Sequence, residues 1–194
     1  PDQLLMGGGQ NRLVDASLIV AEERDGRMRY RLLETVRQYA EERLAETGGA
    51  ADVRGKHAAW CVEFAEQAQS RFAGSQQSTW FEVVEREQEN LRAALAHGGD
   101  ASDGTSGLRL AVALARYWYV RGHLNEGREW LERTLQASGP HPPELDRRAL
   151  TAAASLALLQ GDYGVATSLA ERALEAARAG RHRMTERHGC RRGV

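Results

Sequence analysis

The chain has 194 residues, 42% hydrophobic and 27% charged, which suffices for one large domain or two small ones around a real core. Its 26 basic and 27 acidic residues leave a formal charge of -1, so global charge steers it toward neither nucleic acid nor membrane. No apolar run nears the roughly 18–20 residues of a membrane span, residues 1–10 lack the pattern of a secretory leader, and two cysteines, Cys61 and Cys190, exclude a disulfide scaffold; a cytoplasmic, reducing setting is expected.

Of the basic residues, 25 are arginine and one is Lys56, which reads as codon bias rather than chemistry. Pro1 is followed by no proline until Pro140. Proline costs about 3 kcal/mol inside a helix, so a long proline-free stretch rich in Ala, Leu, Arg and Glu favours helices.

In chain order, Gly7-Gly8-Gly9 is a turning segment, and Asn11 to Ser17 suits the last turn of a helix. Leu18-Ile19-Val20-Ala21 reads as a strand, and Asp25-Gly26 is a strong hairpin-turn signal. Arg27 to Leu32 alternates strictly, with Met28, Tyr30 and Leu32 on one face and Arg27, Arg29 and Arg31 on the other. A β-hairpin over 18–32 follows. Such a hairpin is marginal alone and must pack on helices.

From Glu34 the period becomes helical, with Val36, Tyr39, Ala40 and Leu44 on one stripe and Gly48-Gly49 as the stop. A second helix over about 52–73 carries Val53, His57, Trp60, Cys61, Phe64, Ala65, Ala68 and Phe72. A third starts within 75–78 and carries Trp80, Val84, Leu91 and Leu95. Residues 98–107 form a loop by composition. Four helices follow at about 107–121, 124–138, 144–160 and 163–179.

These four helices form two hairpins related by a shift of 39 residues, which brings Gly122 onto Gly161. Leu114 pairs with Ala153, Leu124 with Tyr163, Gly127 with Ala166, and Leu135 with Leu174. Gly127 and Ala166 fall where two helices must approach closely. Gly161-Asp162-Tyr163-x-x-Ala166, followed by Glu171-Arg172-Ala173-Leu174, resembles the second half of a tetratricopeptide repeat. The period exceeds the usual 34 residues, and the loop of Pro140, Pro142 and Pro143 accounts for the excess.

The front half carries a more specific likeness. Leu13-Val14-Asp15-x-Ser17-Leu18, a hairpin, and then Tyr30-Arg31-Leu32-Leu33-Glu34-Thr35-Val36-Arg37-Gln38-Tyr39-Ala40-x-x-Arg43-Leu44 resemble the end of the winged helix of STAND signalling ATPases, in their LuxR-type and antibiotic-regulator branches. His57-Ala58-Ala59-Trp60, Glu89-Asn90-Leu91-Arg92-Ala93-Ala94-Leu95 and Trp118-Tyr119-x-Arg121-Gly122-His123 resemble the helical arm that follows in those proteins. The likeness spans about residues 11–178. It implies a winged helix that clamps nucleotide and helical repeats that sense a partner and release the clamp. Leu32-Leu33-Glu34 stands where many relatives carry a phosphate-touching histidine between methionine and aspartate, so this segment is expected to make no nucleotide contact. No Gly-x-x-x-x-Gly-Lys-Ser/Thr run occurs either. ATP or ADP is therefore expected only in a nucleotide-binding core outside this chain, which reads as a fragment or truncated relative without the motor.

Two sets of residues are candidate sites. The repeat register points Arg109, Arg116 and Tyr119 from one hairpin, and Arg148, Thr151 and Ser155 from the next, into an inward groove. Arginines beside an aromatic suit an acidic peptide or another charged ligand; the plain alternative is a solvated helix face. Arg27, Arg29 and Arg31 on the wing suit DNA phosphates, or form a solvated strand face, or touch the absent ATPase core.

Trp60, Trp80, Trp118 and Trp130 read as core anchors rather than a ligand box. His57 and Cys61 are four apart on one helix, but no third orienting group or oxyanion site accompanies them, so no catalytic residue is assigned. No metal site is assigned: His182, His188 and Cys190 do not have zinc-ligand spacing.

The expected fold is mostly α. A winged-helix remnant with the hairpin covers 1–49, a helical arm 50–106 and two tetratricopeptide-like hairpins 107–179. A basic tail without regular structure covers 180–194. Its expected role is a non-catalytic sensing and interaction module of a transcriptional regulator, with a DNA-binding adaptor as the alternative. Expected partners are a protein or peptide in the groove and the ATPase core, with no membrane. Self-association through the last hairpin's outer face is also open.

Overall fold

The computed structural model describes residues 17–24, 27–97, 105–137 and 141–189; for Arg24, Arg27, Arg29 and residues 180–189 it describes the backbone alone. The expected glycine turn at 7–9, the Asp25-Gly26 turn, most of the 98–107 loop, and Cys190 lie outside the described residues. The fold is mostly α, with eight helices and one two-stranded hairpin among the described residues. The chain forms two compact units, Pro1–Val53 and Arg54–Val194.

In the first unit, strand β1 (Ile19–Arg24) pairs antiparallel with β2 (Arg27–Leu32), in a register running from Ile19 opposite Leu32 to Arg24 opposite Arg27. Cross-strand partners share a face. Ile19, Ala21, Glu23, Tyr30, Met28 and Leu32 therefore stand together, and Arg31 shares the other face with Val20 and Glu22. Helix α1 (Glu34–Glu46) follows and ends at Thr47, with Gly48 at φ +72°. That left-handed turn is cheap for glycine and strained for other residues.

The stripe expected on α1 is not a buried one. No residue of α1 is buried; Val36 and Leu44 are half-buried and Tyr39 is exposed under the Arg43 guanidinium, 5.2 Å from its ring centre. Arg37 instead bridges Glu34 and Glu41, each at 2.6 Å along the helix surface. Such pairs add only about 0.3–0.5 kcal/mol each.

Helix α2 (Ala50–Arg71) begins the helical arm. Its buried face is Ala58, Cys61, Val62, Ala65 and Ala68, with Phe72 just beyond its end. Small residues make this face flat enough for close packing. Val53 and Trp60, expected on it, are exposed. Trp60 is instead stacked along the helix on Phe64, at 5.4 Å between ring centres, with His57 on its other side.

The single helix expected over the next segment is two helices, α3 (Gln77–Arg86) and α4 (Gln88–His97). The chain tightens at Glu87, whose N–H donates to Val84 O three residues back. No Gly or Pro marks the break. Phe81, Val84, Leu91, Ala94 and Leu95 are buried on both sides of it.

The second half contains α5 (Ser106–Arg121), α6 (Leu124–Ala137), α7 (Pro143–Leu159) and α8 (Tyr163–Gly189). Gly122 and Gly161 both adopt φ +77°, so the two turns have the same left-handed conformation. Pro143 opens α7 at the position where its missing N–H costs nothing. Helix α8 continues about ten residues past its expected end. Its Ala, Arg, Glu and Met residues are good helix formers, and Gly180 alone does not stop it.

The core runs from Cys61, Ala65 and Phe72 through Phe81, Val84 and Leu91 to Leu108, Tyr117, Trp118, Leu131 and Leu156. Trp118 is fully buried, and Trp80 and Trp130 pack at the core edge. Trp60 departs from its expected role as a core anchor: it is 46% exposed, because the flat Ala/Cys face of α2 meets the core and leaves the indole beside it.

Candidate functional site

Helix periodicity groups the residues expected to line a groove. On α5, Arg109, Arg116 and Tyr119 sit at i, i+7 and i+10; on α7, Arg148, Thr151 and Ser155 sit at i, i+3 and i+7. Residues at these spacings share one helix face. Leu158, 55% exposed, follows Arg148 by ten residues, as Tyr119, 45% exposed, follows Arg109.

All three arginines reach the last turns of α2. Arg109 donates Nε and Nη2 to the two carboxylate oxygens of Glu66, each at 2.9 Å. Arg148 donates Nη2 to Gln69 Oε1 at 3.1 Å, and Gln69 in turn donates Nε2 to Val112 O at 3.2 Å. Arg116 donates Nε to Phe72 O at 3.3 Å. Glu66 and Gln69 thus complete the face. Their places in the sequence, on the polar side of a helix, give no hint of these long-range partners.

The face is divided chemically. Its arginine end is a fork-bonding surface suited to carboxylates. Of the three arginines, Arg116 and Arg148 are matched there by neutral acceptors, a backbone carbonyl and an amide, while Arg109 is held by a carboxylate. The turn end offers hydrocarbon from Tyr119 and Leu158. Thr151 and Ser155 spend their hydroxyl hydrogens on their own helix, donating to Arg147 O at 2.7 Å and Thr151 O at 3.0 Å. They retain acceptor lone pairs toward the face.

Arg27, Arg29 and Arg31 alternate along β2. Glu22 stands directly opposite Arg29, and Arg31 is exposed opposite Val20. The side chains of Arg27 and Arg29 lie outside the described residues.

His57 and Cys61 do meet, with Nε2 3.7 Å from Sγ. The thiol is fully buried and lies 3.7 Å from Asn90 O as its acceptor. Burial, reinforced by Glu87, pushes it up to about 12. Burial and the nearby His97 push His57 below its ordinary value. The pair is held neutral, the reverse of an activated thiolate. Among the described residues no group of three or more His, Cys, Asp or Glu is placed to hold a metal ion, and no helix is long and apolar enough to cross a membrane.

The chain is similar to proteins of Mycobacterium tuberculosis strain H37Rv and Mycobacterium bovis, each provisionally named an HTH-type transcriptional regulator. Identity is 40% over 124 residues in each case, covering 64% of this chain. The match spans 14% of the relatives' own length. No protein-family profile matches the chain, and no solved structure matches it.

Proposed function

We propose that this chain is a non-catalytic sensing and protein-interaction module of a STAND-type transcriptional regulator of the LuxR or antibiotic-regulator kind. The similarity to regulators at 40% identity supports the regulatory setting. The observation that carries the recognition role is the convergence of Arg109, Arg116 and Arg148, from two successive hairpins, on the end of α2 beside exposed Tyr119. A protein or peptide seated on that face touches α2, α5 and α7 together. Its binding changes the angle between hairpins, and the nucleotide-binding core of a longer parent reads that change. ATP or ADP belongs to that core; this chain contributes no phosphate loop and no catalytic residue. The setting is cytoplasmic.

The test is capture of a partner by the full chain and by the Arg116→Glu, Arg148→Glu double variant. A captured protein is identified, purified and titrated against both. An affinity at least about tenfold lower for the variant, or about 1.4 kcal/mol, supports the face as a recognition surface. Equal affinity, or no partner at all, rejects it and leaves the hairpins a structural arm against the ATPase core.

A second reading, a DNA-binding adaptor, draws on the alternation of Arg27, Arg29 and Arg31 along β2. Duplex affinity that falls steeply with salt and drops in Arg31→Glu would favour this reading; salt-independent or absent binding removes it.

A further inference from the structure

The three arginines of the recognition face meet α2 in order. Arg109 reaches Glu66, Arg148 reaches Gln69 and Arg116 reaches the Phe72 carbonyl, so their acceptors lie at i, i+3 and i+6. That is one arginine for each turn at the end of α2, in a row about 9 Å long.

The row is held in place without being neutralised. Arg109 spends Nε and Nη2 on both Glu66 oxygens. Arg116 uses Nε alone, on a carbonyl at the end of α2, whose partial negative charge holds the guanidinium without cancelling it. Arg148 uses Nη2 alone, on an amide. Both side chains are exposed, and each keeps a two-donor edge, the shape that receives a carboxylate. The acids nearby are otherwise engaged. Glu144, one turn before Arg148, is forked by Arg147. Asp146 points round the other side of α7, where it meets His141. On α2, exposed Glu63 and Arg71 flank the row with opposite signs. Arg116 and Arg148 are therefore a surplus of positive charge on this face.

Beyond the row, Tyr119 and Leu158 are exposed near the turn ends of α5 and α7, at equivalent places in the two hairpins. A single phosphate would need both guanidiniums to converge on one point, whereas each is tied to its own turn of α2. Successive acids beside an apolar residue, all on one chain, match both the separation and the hydrocarbon.

We propose that the face binds an acidic peptide segment, with its carboxylates on Arg116 and Arg148 and its apolar residue against Tyr119 and Leu158. Glu66 is a built-in third carboxylate that occupies Arg109 and limits the peptide to two. This rests on the recognition face proposed above and adds the chemistry of what it recognises.

The probe is a fluorescein-labelled octapeptide of alternating Glu and Leu, titrated with the full chain by fluorescence polarisation beside its Gln–Leu and phosphoserine–Leu counterparts. The Glu peptide is expected to bind, and the Gln peptide at least about tenfold more weakly. Ser155 is exposed and stands on α7 where Arg116 stands on α5. Ser155→Arg is expected to tighten binding at least about threefold and Ser155→Glu to weaken it about tenfold. Glu66→Gln releases Arg109 and is expected to tighten it too. A misfolded variant would not gain affinity, so the two gains carry the test. No binding of the Glu peptide up to about 1 mM, equal binding of the Gln peptide, a preference for the phosphoserine peptide, or the absence of both gains each overturns the acidic ligand. The captured partner separates this failure from that of the face. A partner weakened by Arg116→Glu, Arg148→Glu but indifferent to Ser155→Arg and Glu66→Gln keeps the face and rejects the acidic ligand; one indifferent to the double variant rejects the face itself.

Discussion

A Cβ placed on Gly127 would stand 2.8 Å from Leu156 Cδ1 and 3.0 Å from both Cβ and Cδ2 of Trp118. Three helices meet at this point: α5 through Trp118, α6 through Gly127 and α7 through Leu156. Leu156 can shift its methyl, but Trp118 Cβ is fixed to its backbone and the indole is fully buried. Gly127→Ala therefore gains about 1 kcal/mol of helix propensity and loses about 1–3 kcal/mol to overpacking. Net destabilisation is expected in urea titrations, and Gly127→Leu should fail to fold. The equivalent position on α8 is already Ala166, buried without a glycine's clearance.

The Arg92–Glu126 pair joins α4 to α6 through two parallel bonds, 2.6 Å from Nε and 2.8 Å from Nη2. The Arg92 bond and charge hold the Glu126 carboxyl below its ordinary value. A depressed folded value means the pair's stabilisation is present above the unfolded carboxylate range and is lost as pH falls through the folded value. Arg92 is 46% exposed, so solvent screening keeps the coupling near 0.5–1 kcal/mol, an order-of-magnitude figure for a fork-bonded pair. A double-mutant cycle of Arg92→Ala and Glu126→Ala at pH 7 should return about that value. The same cycle at pH 3 should return less.

Trp60 and Trp118 separate exposure from burial within one residue type. Trp118→Ala empties a fully buried site and should cost about 3–5 kcal/mol. Trp60→Ala removes a half-exposed ring stacked on Phe64 and should cost about 1 kcal/mol. Equal losses in thermal or urea unfolding would contradict this placement of the two rings.

Cys61 should resist alkylation in the folded chain. Its thiol is buried and pushed up to about 12, so almost none is thiolate at pH 8. Peptide mapping after iodoacetamide should find Cys61 modified at least about 100-fold more slowly than in denaturant, its rate following global unfolding. Rapid native labelling would mean that α2 opens locally.

Local signals were readable because they act through a few bonds. The alternation of Arg27 to Leu32 marks a strand, and Gly122 and Gly161 mark matching left-handed turns because few other residues adopt φ +77° cheaply. The break at Glu87 escaped because its residue types suit a continuous helix. Periodicity sets Arg109 with Arg116 on one helix face and Arg148 on another, but it does not point to Glu66, Gln69 or the Phe72 carbonyl. They lie 43, 79 and 44 residues from Arg109, Arg148 and Arg116 respectively.

Residue order alone therefore settled the mostly α class, the hairpin, most helix starts and the matching turns at Gly122 and Gly161, since all of these follow from backbone preference and spacing. Packing settled which apolar residues go inside and what the arginines touch. Trp60 stays half in water while Cys61 and Ala65 are buried, because small residues let α2 approach the core and hydrophobicity alone does not choose the face. Arg109 meets Glu66 because two helices distant in sequence are brought side by side. Its spacing shows which way it points, and only the neighbouring helix supplies the carboxylate that receives it.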